Sequence, residues 1–162
     1  MKFMTAAIAL LAAACATAVP EAPREEAYYV MRHLQKGAGD NPGLTEEGQR
    51  CAAALARDLA GSRIRAIYAS TTRRAQETAG PLGTRTNVAI SLYDPRDTAG
   101  LVARVQAETG SVLVVGHSNT VPEIVERLGG ARPADLADDR YGEVWRVART
   151  GGAVTVRRIT GC

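Results

Sequence analysis

Strand-like runs that alternate with helix-like segments constrain this chain more than any other feature. Ala27 to Met31 is apolar at every position, and Ser111 to Val115 is the most hydrophobic run of the set. A strand that is apolar on both faces has to be covered on both, which places it inside a sheet with helices above and below. Ile64 to Ala69 and Val88 to Leu92 read as two further strands. Helical segments fall between them. The first opens at Thr45, carries Glu46 and Glu47 in its first turn where they complement the helix dipole, and runs to about Leu59 before Gly61. The second, Thr72 to Ala79, is expected to stop at Gly80-Pro81, and a third runs from about Thr98 to Glu108. Thr120-Val121-Pro122-Glu123 has the pattern of a capping box for a helix ending at Leu128, before Gly129-Gly130. The tail segments Gly142 to Arg149 and Ala153 to Thr160, joined by Thr150-Gly151-Gly152, read as a hairpin. The alternation implies an α/β three-layer sandwich with a largely parallel central sheet, helices on both faces and a C-terminal edge hairpin.

A chain of 162 residues, 46% hydrophobic and 23% charged, suits one globular domain. No motif recurs at a fixed period, so a solenoid is not indicated. Residues 1–18 read as an export signal. Lys2 precedes an apolar run from Phe3 to Ala14 that is too short to span a bilayer and ends in small residues. Two processing readings stay open: cleavage after Ala16-Thr17-Ala18, or acylation of Cys15 at the end of Leu11-Ala12-Ala13-Ala14-Cys15, which resembles a bacterial lipoprotein box with the leucine one place too early. Both put the protein outside the cytoplasm, periplasmic or outer-membrane-anchored, and the second alone gives it a membrane contact, a lipid at Cys15. Residues 19–26 form a polar, Pro-containing linker, and residues 27–162 make up the single domain.

Loss of Lys2 with the leader lowers the net charge from +3 to +2, too weak a balance for a nucleic-acid footprint, and the 18 arginines are scattered. An exported chain keeps Cys51 and Cys162, which an oxidising compartment allows to pair. No CxxC or His/Cys cluster exists to hold a structural metal.

In a parallel α/β sheet ligands bind beyond the carboxyl ends of the strands. The chain has only two histidines, and both sit there: His33 directly after the first strand, in Arg32-His33, and His117 after the fourth, in Gly116-His117-Ser118-Asn119. Ser70 to Arg74 follow the second strand and Asp94 the third. Guanidinium groups hold tetrahedral oxyanions through paired charge-assisted hydrogen bonds, and the helix opening near Thr120 points its N–H groups the same way. The set suits a phosphoryl group, with His33 as the candidate nucleophile because neutral imidazole needs no deprotonation.

These residues resemble the histidine phosphatase superfamily, also called phosphoglycerate mutase-like. The resemblance rests on Arg32-His33, on Leu44-Thr45-Glu46-Glu47-Gly48-Gln49, on Ser70-Thr71-Thr72-Arg73-Arg74-Ala75-Gln76-Glu77-Thr78-Ala79 and on Gly116-His117-Ser118, in that order, and spans about Ala27 to Gly130. It implies that His33 becomes phosphorylated while Arg32, Arg74 and His117 bind the phosphoryl oxygens, with no cofactor or metal. It also implies an acid for the leaving oxygen, often a Glu after the third strand. That stretch here is Leu92-Tyr93-Asp94-Pro95-Arg96-Asp97, which offers Asp94, nearer the strand end, ahead of Asp97. A useful acid needs its pKa raised by partial burial.

Ser118 and Asn119 are further candidate phosphate donors, although both also suit a turn into a helix. Lys36 lies near enough to add a charge, or is an ordinary loop lysine. Leu34 stands where many relatives carry a small residue and is expected to narrow the pocket mouth. Arg73 is expected to face solvent beside Arg74, and Arg96 to be a surface charge. The interval from Ala79 to Gly110 has room for one strand and one helix only, which suggests an open pocket with water as acceptor. The expected reaction is therefore hydrolysis of small phosphomonoesters through a phosphohistidine. Alternatives are a protein phosphohistidine phosphatase, against which export argues, and a non-catalytic envelope protein that binds phosphorylated ligands.

Overall fold

A computed structural model describes residues 25–162, so the leader, Cys15 and the linker up to residue 24 lie outside it. Ten elements follow in chain order: β1 (Ala27–Arg32), α1 (Glu46–Asp58), β2 (Ile64–Ser70), α2 (Arg73–Thr86), β3 (Ile90–Tyr93), α3 (Thr98–Ala107), β4 (Ser111–Gly116), α4 (Val121–Arg127), β5 (Glu143–Ala148) and β6 (Val154–Arg158). Among the described residues no helix is long and apolar enough to cross a membrane.

The six strands form one sheet in the order β3-β2-β4-β1-β5-β6. The four strands β3, β2, β4 and β1 are parallel to one another, while β5 pairs antiparallel with β1 and β6 antiparallel with β5. The expected hairpin therefore forms, but of its two strands the first is internal and the second, β6, lies at an edge. Every residue of β1 and of β4 is buried, as apolar runs at the centre of a covered sheet should be.

Because side chains alternate across a strand, each central run feeds two cores. Ala27, Tyr29, Met31, Leu113 and Val115 pack with Cys51, Ala52, Leu55 and Leu59 of α1 and its end, and with Ala75, Ala79 and Leu82 of α2. Tyr28, Val30, Val112 and Val114 face the opposite way, toward Leu101, Val102 and Val105 of α3 and Val121, Ile124 and Val125 of α4. The three-layer sandwich expected from the sequence is the structure's architecture.

One helix boundary and one helix cap differ from expectation. The second helix runs straight through Gly80-Pro81 to Thr86 and is stopped by Asn87, which takes the left-handed conformation at φ 54° while Val88 N–H donates to Gly83 O. An interior proline removes one hydrogen bond and costs about 3 kcal/mol. Leu82, fully buried one residue later, returns about 2 kcal/mol by burial. Thr120 precedes α4 as expected but forms no capping box, because its side chain makes no cap hydrogen bond to the helix. Its Oγ1 accepts from His117 N at 3.0 Å and donates to His117 O at 3.3 Å, so the threonine closes the turn that carries His117.

Candidate active site

β1 and β4 are parallel neighbours with Arg32 in register with Gly116, so the residues that follow them emerge side by side. His33 N–H continues the ladder to Gly116 O at 2.9 Å. The imidazoles of His33 and His117 stand edge to face with centroids 5.4 Å apart. Gly116 lets Thr120 close on the strand end: a Cβ there would lie 2.8 Å from Thr120 Oγ1 and 3.0 Å from the Tyr93 hydroxyl.

His33 is 3% exposed, and its Nδ1 lies 2.8 Å from the backbone oxygen of Leu34. A carbonyl only accepts, so Nδ1 must carry the proton and Nε2 the free lone pair. Burial depresses its pKa to about 3 against the opposing pull of the Leu34 bond, with the charges of His117, Arg74 and Arg32 adding to the depression. His33 is thus a neutral imidazole with a fixed tautomer at any ordinary pH.

His117 is held from both ends. Its Nε2 lies 2.8 Å from the Oγ of fully buried Ser70, which in turn lies 3.0 Å from Thr72 Oγ1. Its Nδ1 faces Arg74 Nη2 at 3.5 Å. Guanidinium only donates, so Nε2 carries the proton, donates to Ser70 and leaves Ser70 to donate to Thr72. Burial, then Arg74 and Arg32, lowers His117 to about 4.

Both rings open on a cleft of about 380 Å³ whose floor includes Arg32 and Arg74 and whose rim includes Lys36, Thr72, Pro95, Arg96, Ser118 and Asn119. Arg32 Nε and Arg74 Nε are buried in it without a hydrogen-bond partner. Two guanidinium N–H groups without a protein partner, beside two imidazoles, are a donor set suited to an oxyanion. Among the described residues no group of three or more His, Cys, Asp and Glu side chains is gathered for a metal ion.

His33, Arg32, Arg74, His117, Ser118 and Asn119 are thus gathered around one cleft, with Lys36 at its mouth. Lys36 is kept there by a short antiparallel bridge to Leu44. Other expectations need correction. Leu34 does not narrow the mouth: it is fully buried in the core under α1 and α2. Arg32 is only partly free. Its Nη1 donates to the backbone oxygens of Ala137 (3.0 Å) and Asp138 (3.1 Å), and its guanidinium stacks 4.3 Å from the Tyr141 ring centroid. Its Nη2 donates to the Tyr141 hydroxyl at 3.4 Å, and its Nε has no partner.

Neither aspartate has the surroundings of a proton donor. The Asp94 side chain is 51% exposed and accepts from Arg96 N at 2.9 Å and Arg96 Nε at 3.3 Å, contacts that hold its carboxyl below the usual carboxylate range. Asp97 caps α3, accepting from Gly100 N at 2.8 Å. Arg73 faces solvent as expected, where it pairs with Glu77 at 2.6 Å.

Three supporting residues carry no role in the sequence reading. Thr78 Oγ1 accepts from Leu34 N at 3.0 Å and donates to Arg74 O at 2.8 Å, tying the His33 loop to the helix that bears Arg74. Glu77 accepts from Leu44 N at 2.6 Å and anchors the loop before α1. Tyr141 lies 6.1 Å from the His33 ring and backs Arg32. Thr78 and Glu77 lie inside the quoted motif, whereas Tyr141 sits in a segment without helix or strand pattern.

The family model of the histidine phosphatase superfamily (branch 1) matches residues 27–95, the stretch that holds Arg32, His33 and Arg74. Over that stretch the chain is similar to the histidine phosphatase superfamily. Among solved structures, the chain is similar to the protein histidine phosphatase SixA complexed with tungstate. The two are 25% identical with a TM-score of 0.62, over 81% of this chain and 94% of that one. A mycobacterial glucosyl-3-phosphoglycerate phosphatase is 17% identical with a TM-score of 0.63, over 83% and 97% of the two chains, and at that identity shares the fold alone. A search of curated proteins finds no match to the sequence. The family match over residues 27–95 and the likeness to SixA support phosphatase activity.

Proposed function

We propose that the protein hydrolyses small phosphorylated substrates in two steps through a phosphohistidine. The observation that carries this reading is the tautomer of His33, whose Nδ1–H is fixed on Leu34 O so that Nε2 presents its lone pair to a cleft with unsatisfied guanidinium groups. Nε2 of His33 attacks phosphorus and the bond to the leaving oxygen breaks; water then displaces the imidazole and releases phosphate. Arg74 and the Nε of Arg32 stabilise the charge that spreads over the phosphoryl oxygens, while His117, positioned by Ser70, bounds it from the other side, with Ser118 and Asn119 at the rim.

A second reading, a protein phosphohistidine phosphatase, is favoured by the likeness to SixA. An exported location separates the two readings. The leader pattern over 1–18 and the Cys51–Cys162 disulfide both support an oxidising, extracytoplasmic compartment. Fractionation of native cells with mass analysis of the N-terminus tests it, and lipid at Cys15 would identify the anchored form.

The functional test is turnover of p-nitrophenyl phosphate by the purified protein in chelator, beside its His33→Ala variant. Turnover that disappears in a folded variant is the expected result. Turnover that survives the substitution would remove His33 from the chemistry. Phosphate binding without turnover in the wild-type protein would move the function to ligand binding.

A further inference from the structure

The cleft is one-signed. Four cationic side chains, Arg32, Lys36, Arg74 and Arg96, line it, and among the described residues no Asp or Glu does. The carboxylates after β3 are committed elsewhere: Asp94 to its own turn and to the Arg96 side chain, Asp97 to the N-terminus of α3. The cations also stand at two depths. Arg32 and Arg74 have buried, unpartnered Nε groups at the histidines, where the transferred phosphoryl group would sit. Lys36 is exposed at the mouth, farther out than the two buried Nε groups.

Resting on the phosphohistidine reading above, we infer that the protein acts on phosphoryl donors whose leaving oxygen departs as a stable anion, namely acyl phosphates and phosphoric anhydrides, in preference to alkyl phosphomonoesters. The chemistry follows from the balance of the first step. The Nε2–P bond forms, the P–O bond breaks, and the electron pair of that bond goes to the leaving oxygen. An alkoxide is too basic to depart without a proton, and the cleft has no carboxylic acid to deliver one. A carboxylate or a phosphate departs as it is, and Lys36 meets an anion rather than an alcohol. In the second step water forms the new O–P bond, Nε2 takes back its electron pair, and the protons of water remain on phosphate and solvent. Nδ1–H stays on Leu34 O throughout, so neither step needs a protein carboxyl group.

General acid catalysis contributes typically about 10²- to 10⁴-fold, and an enzyme that supplies the proton levels out differences in leaving-group basicity by that much. The test is kcat/KM for acetyl phosphate, inorganic pyrophosphate, p-nitrophenyl phosphate, phenyl phosphate and glycerol phosphate, with wild-type, Asp94→Asn and His33→Ala proteins. The expected result is a fall of about 10²-fold or more from the anion-releasing donors to glycerol phosphate, phenyl phosphate lying between, and the same series in Asp94→Asn. A profile flat to within tenfold, lost in His33→Ala, would overturn the inference and leave the phosphohistidine reading standing. A selective loss of glycerol phosphate turnover in Asp94→Asn would likewise overturn it, by making Asp94 the acid. Turnover undiminished in His33→Ala would overturn both.

Discussion

Ser70 is fully buried at the end of β2, and its hydroxyl is the hydrogen-bond partner of His117 Nε2. Truncating it leaves a buried N–H unpaired, which costs about 1–3 kcal/mol. Ser70→Ala should therefore lower the urea midpoint and, by freeing the His117 ring, reduce kcat/KM on p-nitrophenyl phosphate about tenfold, on the order of 1.4 kcal/mol in the barrier. Wild-type values for both would show that His117 needs no such support. The pH dependence also belongs to single residues. His33 and His117 have folded pKa values of about 3 and 4, below the ordinary 6.5, so between those limits the unfolded chain binds more protons than the folded one. Their contribution to stability is present above pH 6.5 and declines as pH falls toward 4. The unfolding midpoint should drop over that range, and less steeply in His33→Gln and His117→Gln; equal slopes would contradict the assignment. At this scale the sequence was a good guide to the cleft, because Arg-His and Gly-His-Ser are short and follow strands. It misled at Asp94 and Leu34, where only the turn to Arg96 and the packing under α1 and α2 decide what the side chain meets.

At the scale of elements, what matters is how the strand-to-helix connections are tied together. Thr78 sits inside α2 and joins the His33 loop to Arg74 through one hydroxyl. Thr78→Val keeps the shape and orphans the Leu34 N–H, a change worth about 1–3 kcal/mol that a denaturation curve would register. Gly116→Ala is the sharper experiment, because the added Cβ meets the Thr120 hydroxyl that holds the His117 turn and the Tyr93 hydroxyl bonded to Val115 O. It should lose most activity while far-UV dichroism persists; full activity would mean that the turn adjusts freely. Strands and helices were legible from periodicity and from Thr45, which caps α1 as read by accepting from Gly48 N. The end of α2 was not. A Gly-Pro pair is a stop signal locally, yet the buried face of Leu82 carries the helix on to Asn87. Thr120 was misread for a related reason: its hydroxyl has a better partner in the His117 backbone than in its own helix.

Across the whole molecule, the alternating pattern implies a covered parallel sheet but says nothing of strand order. That β4 inserts between β1 and β2, and so brings His117 beside His33, is a property of the assembled sheet. The antiparallel insertion of β5 next to β1 was equally hidden, since a hairpin reads the same at an edge or one place in. The pairing of Cys51 with Cys162 joins α1 to the C-terminus across 111 residues, with Cα atoms 5.9 Å apart. Closing a loop of that length restricts the unfolded chain by about 4–5 kcal/mol in the chain-entropy account. Replacing both cysteines with alanine should lower the unfolding free energy by a few kcal/mol, measured by urea unfolding; an unchanged curve would show that the link does not contribute.

The central claim is that His33 carries the phosphoryl group, and the most direct measurement traps it. The protein is incubated briefly with ³²P-labelled acetyl phosphate, quenched in alkali, where phosphohistidine survives, and digested for mass analysis. The account predicts label on His33, loss of that label in acid, and none in His33→Ala. Steady turnover with no label on His33, or label on another residue in both proteins, would contradict it.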